Sequence, residues 1–228
     1  MKSRLFLLGM LALVLFVSAC APPPELRDPN LLRDESVVSG EPCDAPCWRG
    51  ITVGETAWRD ALAIVEDDPE LDPPNVQTDE NSTAVVAEFQ ATGGSPCCQM
   101  YSETGEIADL LFLRVAPTTT LGDVIEARGE PSYAIGSPFS DNQAIINLLY
   151  PDIPLVVYAF VAGEAEGRLS ASSEIIGLLY LKPSDMELLL VTSDLHAWEG
   201  YADYAAYRPD GELELTPSVT LTPTSAPE

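Results

Sequence analysis

The chain contains two ten-residue segments that align without a gap, Thr56-Ala57-Trp58-Arg59-Asp60-Ala61-Leu62-Ala63-Ile64-Val65 and Thr119-Thr120-Leu121-Gly122-Asp123-Val124-Ile125-Glu126-Ala127-Arg128. In each segment, apolar residues recur at positions i, i+3 and i+4, which is the spacing of one helix face. The next stripe position, i+7, is Val65 in the first segment and Arg128 in the second. We interpret Arg128 as a side chain whose long stem lies over the helix end. The repeat predicts two amphipathic helices that each present one face to a core.

The ends of the second helix are also marked in the sequence. Thr120 followed by Asp123 resembles a capping box, with the aspartate in place of the usual glutamate. Gly129 is a suitable C-terminal cap, and Pro131 prevents the helix from resuming. The second helix is therefore expected to stop at Gly129.

Strand-like runs follow each helix. They cover residues 84–90, 99–102 and 107–115 after the first helix, and 144–150, 155–161 and 175–181 after the second. The runs 155–161 and 175–181 are apolar at both parities, so these strands are expected to be covered on both faces. The sequence thus predicts an α+β fold of two tandem helix-then-antiparallel-sheet units, 43–116 and 117–211, flanked by disordered N- and C-terminal segments.

The first nineteen residues have the features of an export signal. Lys2 and Arg4 precede the apolar run 5–17, which is too short to span a bilayer because about 20 residues are needed. Val17-Ser18-Ala19-Cys20 resembles the lipobox of bacterial lipoproteins. The resemblance implies that residues 1–19 are removed and that Cys20 carries fatty acyl chains such as palmitate. A plain secretory signal with an incidental cysteine is the alternative.

Segments without apolar periodicity lie beside the predicted units. Residues 20–42 contain Pro22-Pro23-Pro24 and several charges, which predicts a lipidated flexible linker. Residues 212–228 are rich in threonine and proline and have no aromatic residue, which predicts a disordered tail.

The chain is strongly acidic. It has 36 acidic and 11 basic residues, a net charge of −25, which becomes −27 when the signal with Lys2 and Arg4 is removed. Nucleic acid is excluded as a partner because phosphate backbones are bound by clustered Lys and Arg. The acids near Glu66 lack the alternating spacing and central glycine of a calcium loop, so no metal site is predicted. We interpret the negative charge as a source of solubility rather than as a specific cation site.

Four cysteines remain when Cys20 is set aside: Cys43, Cys47, Cys97 and Cys98. An even number in an exported chain predicts two disulfides, for which three connectivities exist. A bond between adjacent residues closes a strained ring, so we expect two bridges between the pairs that staple the N-terminal segment to the first sheet. A redox-active Cys43–Cys47 pair is less consistent with the three-residue spacing.

Catalytic motifs are scarce in the sequence. His196 is the single histidine, which excludes zinc sites built from several histidines. One histidine suffices for a triad, but the sequence has no nucleophile elbow, phosphate loop or dinucleotide fingerprint. Paired acids for glycoside cleavage remain an alternative in so acidic a chain. We therefore predict a protein that is not an enzyme and needs no cofactor.

Aromatic residues recur every three positions near the C-terminus, as Trp198, Tyr201, Tyr204 and Tyr207. Such side chains are enriched at the centres of protein interfaces, so they are a possible interface. The alternative, which we favour, is that they pack this segment onto the second sheet.

Two further motifs carry a resemblance. Gly54-Glu55-Thr56 before the first helix, and Thr119-Thr120 through Gly129-Glu130-Pro131 around the second, resemble the signature of the β-lactamase-inhibitor-protein-like fold, which the small lipoproteins of outer-membrane protein assembly share. The resemblance departs where Asp67-Asp68-Pro69 replaces the closing Gly-x-Pro and where Pro117-Thr118 lacks the opening glycine. It implies tandem repeats that bind other proteins.

The sequence therefore predicts an extracytoplasmic lipoprotein, anchored to the cell membrane or the outer membrane. It is expected to act as a non-catalytic protein-interaction or envelope-assembly module with an envelope protein as its partner. The alternative is an envelope lipoprotein that binds a small ligand or a cation.

Overall fold

The computed structural model describes residues 26–78, 82–140, 142–162 and 167–209. The helices are α1 (Ser36–Ser39), α2 (Trp58–Asp67), α3 (Leu121–Arg128) and α4 (Pro183–Thr192). The strands are β1 (Cys47–Trp48), β2 (Ile51–Thr52), β3 (Asn75–Thr78), β4 (Val85–Phe89), β5 (Cys98–Ser102), β6 (Leu110–Arg114), β7 (Tyr133–Ser140), β8 (Gln143–Tyr150), β9 (Leu155–Ala162), β10 (Ile175–Leu181) and β11 (His196–Ala197).

Nine of these strands form one antiparallel sheet in the order β11-β7-β8-β9-β10-β6-β5-β4-β3, and β1 pairs with β2 separately. The strands β3 to β6 follow one another as neighbours, and so do β7 to β10. The two runs join where β6 pairs with β10, with Leu113 opposite Leu178. The sheet is therefore continuous across the whole described body.

The predicted α+β class with two tandem helix-then-sheet units is wrong. The molecule is mainly β, with four short helices against eleven strands in the described part. The predicted boundary between the units falls inside one sheet, because the β6–β10 pairing merges the two runs of strands. Apolar alternation locates a strand but does not choose its neighbour, so the sequence pattern could not reveal this pairing.

The sheet has two faces that bury different clusters. The core face carries residues such as Leu111, Leu113 and Leu178 and is covered by α2, α3 and the N-terminal segment. The opposite face, which we call the α4 face, packs Leu149, Val156 and Leu181 against Met186 of α4. Strands β9 and β10 bury residues on both faces, which confirms the expectation drawn from their apolar runs.

The helical stripes are confirmed in part. Trp58, Ala61 and Val65 of α2 are buried, and so are Leu121 and Val124 of α3. Leu62 and Ile125 are only partly buried and pack at the margin of the core. The capping box of α3 is formed, because Thr120 N donates to Asp123 at 2.9 Å and Asp123 N donates to the Thr120 hydroxyl at 3.4 Å. Gly129 is the C-terminal cap, with φ of 81°.

The packed body begins earlier than the sequence predicted. Leu31, Leu32 and Val37 are buried in the main core, although they belong to the predicted flexible linker 20–42. Asp34 is buried as well, and it accepts a hydrogen bond of 2.7 Å from Nε1 of Trp48. The packing of this segment could not be predicted, because the segment is largely polar and its few apolar residues show no regular spacing. The signal 1–19 and the tail 212–228 lie outside the described residues.

Candidate functional site

Helix α4 begins two residues after the end of β10. Pro183 occupies its first turn, where the missing N–H of proline costs nothing, and Lys182 precedes it at the end of β10. Nζ of Lys182 lies 3.2 Å from a carboxylate oxygen of Asp109 and 3.8 Å from one of Asp185. These contacts hold the start of α4 against the sheet.

The inner side of α4 packs on the α4 face. Met186 is buried, and Leu189 and Leu190 are partly buried beside it. Their sheet partners are Leu149, Val156 and Leu181, which come from three neighbouring strands. The helix therefore closes a second, smaller core on the side of the sheet opposite α2 and α3.

The outer side of α4 carries two exposed apolar side chains. Leu188 is 58% exposed and Val191 is 81% exposed, the largest values among the exposed large apolar side chains of the described residues. Residues three apart lie next to each other on a helix surface. We call this pair the α4 surface. The α4 surface is bordered by the exposed polar residues Ser184, Glu187 and Thr192, and an exposed apolar pair with a polar rim is a place at which further apolar groups can pack.

Sequence reasoning missed the α4 surface, although a signal was present. Residues 188–191 read Leu-Leu-Leu-Val. Consecutive residues of a helix point about 100° apart, so four apolar residues in a row cannot all face one sheet. Once Pro183 is recognised as a helix start, at least one of these side chains must face outward.

The predicted aromatic interface is mostly internal. Tyr204 and Tyr207 are each 1% exposed and belong to the main core, where the ring of Tyr204 lies over Gly136 of β7. Trp198 is half-buried and stacks on Tyr207 with ring centroids 5.8 Å apart. Tyr201 is 40% exposed. The four residues therefore hold the C-terminal segment on the core face, and Tyr201 is the member that remains exposed.

Two buried donors lie near this aromatic group. The hydroxyl of Tyr150 and Nε1 of Trp198 have no hydrogen-bond partner among the described residues. Burial raises the pKa of the Tyr150 hydroxyl, and the nearby Tyr201 and Glu130 contribute in the same direction. The Tyr150 hydroxyl therefore stays protonated and can act only as a neutral hydrogen-bonding group at ordinary pH.

The cysteines pair locally, so the expected staple between the two pairs is wrong. Cys43 bonds Cys47 and Cys97 bonds Cys98. A tight turn, in which Cys47 N donates to Asp44 O at 3.0 Å, brings Cys43 and Cys47 to a Cα–Cα distance of 5.7 Å, which is normal for a disulfide. Both residues of the second pair are buried where β5 begins. Each disulfide therefore closes a short local loop.

Several clefts open near the N-terminal segment and β5. One of about 440 Å³ is lined by Arg33, Arg49 and the turn 91–94. A second of about 430 Å³ shares both arginines and extends to Pro42. Arg49 is held in place, because it pairs with Asp68 and lies 2.9 Å from Glu70. A third cleft, of about 190 Å³, lies beside Cys97, Cys98 and Phe112.

The remaining predicted features have the following positions. His196 lies in β11, and its Nε2 is 2.9 Å from the Arg208 carbonyl oxygen. Among the described residues, no group of three or more His, Cys, Asp or Glu side chains is arranged to hold a metal ion. None of the helices in the described ranges has the length and apolar character needed to cross a membrane. Cys20 lies outside the described residues.

Comparisons of the chain with protein-family models, with curated proteins and with solved structures found no match.

Proposed function

We propose that the protein is a membrane-anchored, extracytoplasmic lipoprotein that acts, without catalysis, as a protein-interaction or envelope-assembly module. The lipobox-like sequence at Val17-Ser18-Ala19-Cys20 supports the anchor. The α4 surface supports the interaction and is the observation that carries the proposal, because Leu188 and Val191 are exposed on a helix whose inner side is packed on the sheet.

The energetics favour an apolar contact at this place. Burying a leucine or valine side chain completely contributes about 1.5 to 3 kcal/mol, so the α4 surface can supply the centre of an interface. The net charge of −25, or −27 without the signal, favours repulsion between copies of the chain. A different envelope protein with a complementary apolar groove is therefore a better partner than a second copy.

Crosslinking in the native envelope tests this proposal. The wild type is compared with a chain carrying Leu188→Ser and Val191→Ser, and the crosslinked protein is identified by mass spectrometry. The matched control is Val76→Ser, because Val76 is 43% exposed and lies on β3 at the far edge of the sheet. We expect one defined envelope protein to crosslink to the wild type and the control but not to the α4 variant. Equal crosslinking of all three chains contradicts the proposal.

The anchor is tested separately. Cys20→Ala should abolish fatty-acid labelling and leave the chain uncleaved or release it from the membrane fraction. Normal labelling of this variant contradicts lipidation at Cys20.

A second candidate function is capture of a small ligand by the same anchored body. The cleft of about 440 Å³ favours it, because ligand sites commonly measure about 300 to 1,000 Å³. A thermal-shift screen tests it with the wild type and with Arg33→Ala, which alters the cleft at an exposed side chain. Saturable stabilisation of the wild type that is weaker in Arg33→Ala supports ligand capture, and identical responses argue against it.

A further inference from the structure

One end of the sheet lies next to the start of the described chain. Arg27 lies over Phe160 near the end of β9, 5.1 Å from its ring centroid, and bonds Glu174 just before β10. Asn30 O accepts a hydrogen bond of 3.0 Å from Ser95 N just before β5. Residues 27–30 thus cross the sheet at the end where β9 finishes and where β5 and β10 begin. We call this the tether end.

The β7–β8 hairpin turns at the same end. Phe160 is opposite Ile145 of β8, and Ile145 is opposite Ser137 of β7. Neighbouring strands are about 4.8 Å apart, so Ser137 is about 10 Å from Phe160. Phe139 follows two residues later at the tip, in an irregular step of the ladder between Pro138 and Ser140, and is 41% exposed. A large aromatic ring therefore projects at the tether end.

The connection between Cys20 and Leu26 is short. Five residues separate Cys20 from Leu26. A fully extended chain advances about 3.3 to 3.6 Å per residue, so this connection spans at most about 22 Å. Leu26 is itself buried at 8% exposure, so the body cannot unwind further without losing packing. A lipid on Cys20 would hold the tether end within this distance of the bilayer.

The charges at this end are compatible with a lipid surface. Glu174 is paired with Arg27, and Asp68 and Glu70 share Arg49, so two arginines offset part of the charge of these three acids, and Asp28 is a fourth acid in the same segment. Arg33 is exposed and lines the same cleft as Arg49 and Glu70, where it adds a positive charge. The four acids and three arginines named here are more nearly balanced than the 36 acidic and 11 basic residues of the whole chain, so headgroup phosphates are repelled less at this end than the overall charge suggests.

We infer that the tether end rests on the phospholipid headgroups, with the Phe139 ring inserted at the interface. The inference rests on the proposed lipidation of Cys20. Phenylalanine, like tryptophan and leucine, is among the side chains that membrane-surface proteins bury at the boundary between headgroups and acyl chains. Helix α4 starts after Leu181, at the opposite end of β10 from Ile175, so the α4 surface lies toward the end of the sheet that is remote from the tether end and is left accessible to a partner.

Fluorescence quenching by lipid tests this orientation. The lipid-bearing protein is reconstituted in phosphatidylcholine vesicles with and without bromine on the acyl chains. A tryptophan is introduced by Phe139→Trp, and the matched control is Tyr133→Trp, because Tyr133 begins the same strand at the other end and is 37% exposed. The fluorescence of the native residues Trp48, Trp58 and Trp198 is measured in the wild-type protein and subtracted. We expect brominated lipid to quench the tryptophan added by Phe139→Trp and to leave the control unchanged.

The outcomes separate the two proposals. The acyl mass on the mature N-terminal peptide is measured first, and its absence overturns both the anchor and the orientation. If the acyl chains are present and the Phe139→Trp signal is not quenched, the orientation is wrong and the anchor stands. Equal quenching of both variants also overturns the orientation, because the body would then lie along the membrane.

Discussion

Arg128 joins α3 to α1 through a charged contact that is almost buried. Its side chain is 10% exposed, and Nε donates to the Val37 carbonyl at 2.7 Å while Nη2 donates to the Ser36 carbonyl at 3.3 Å. Its guanidinium also pairs with Asp44. The arginine thus reaches across to a second helix, whereas the sequence suggested only that its stem covers the end of its own helix.

Removing this guanidinium should cost stability. Arg128→Met should lower the free energy of unfolding by about 2 kcal/mol, because hydrogen bonds to charged groups contribute about 1.5 to 3 kcal/mol. The Val37 carbonyl loses the Arg128 donor, and the Ser36 carbonyl keeps the hydrogen bond of 2.9 Å from Gly40 N. Arg128→Lys should recover only part, since an ammonium cannot reproduce the planar fork. Urea unfolding measures both. Arg59→Met is the control, with an arginine side chain that is 93% exposed, and a loss at Arg128 no larger than in this control contradicts the role.

The pairing of the cysteines predicts which tryptic peptides contain a disulfide. Trypsin cuts after Arg33, Arg49, Arg59 and Arg114, so a non-reducing digest should release peptide 34–49 with the first disulfide and peptide 60–114 with the second. Each should be lighter by two hydrogen atoms than its reduced form. Recovery of the two peptides as one joined species would restore the staple that we expected from the sequence.

At the scale of single elements, the capping box of α3 couples stability to pH. The pKa of Asp123 is lowered, first by the hydrogen bond from the Thr120 hydroxyl and then by the Thr120 backbone N–H. A depressed pKa in the folded state means that this stabilisation is present above the usual value of 3.8 and is lost as the pH falls through the lowered value.

Thr120→Ala should therefore destabilise the protein by about 1 kcal/mol at neutral pH, and its deficit relative to the wild type should shrink as the pH falls below about 4. Asp123→Asn removes the titrating group and should give a smaller change of stability with pH over the same range. Urea unfolding between neutral and acidic pH measures all three chains. A deficit for Thr120→Ala that is the same at every pH would mean that Asp123 contributes nothing through the cap.

Elements with a strong local pattern could be predicted, and the others could not. The run 175–181 coincides with β10, and β8 and β9 match their runs within one residue, because apolar residues at both parities mark buried strands. Strand β7 was missed because Gly136 and Pro138 interrupt its pattern. Strand β3 has four exposed residues and no alternation. Helix α4 carries apolar residues both on its inner side, at Met186, Leu189 and Leu190, and on its outer side, at Leu188 and Val191, so its sequence shows no single apolar stripe and the α4 surface was missed.

At the scale of the whole molecule, the junction between β6 and β10 decides how the protein unfolds. Leu111 and Leu113 of β6 face Tyr180 and Leu178 of β10, and all four side chains are at most 1% exposed. The main core extends without a break from Leu31 to Tyr207. Separating the two runs of strands would expose these four buried side chains to water, so we expect the two runs to unfold together.

Calorimetry of two core variants tests this single cooperative unit. Met100 of β5 and Ile146 of β8 are fully buried, lie on opposite sides of the junction and belong to different predicted units. Met100→Ala and Ile146→Ala should each lower the free energy of unfolding by about 2 to 5 kcal/mol and shift one common transition. Val76→Ala, at an exposed position, should leave that transition within about 0.5 kcal/mol of the wild type. Two transitions, each moved by only one of the core variants, would show instead that the halves fold independently.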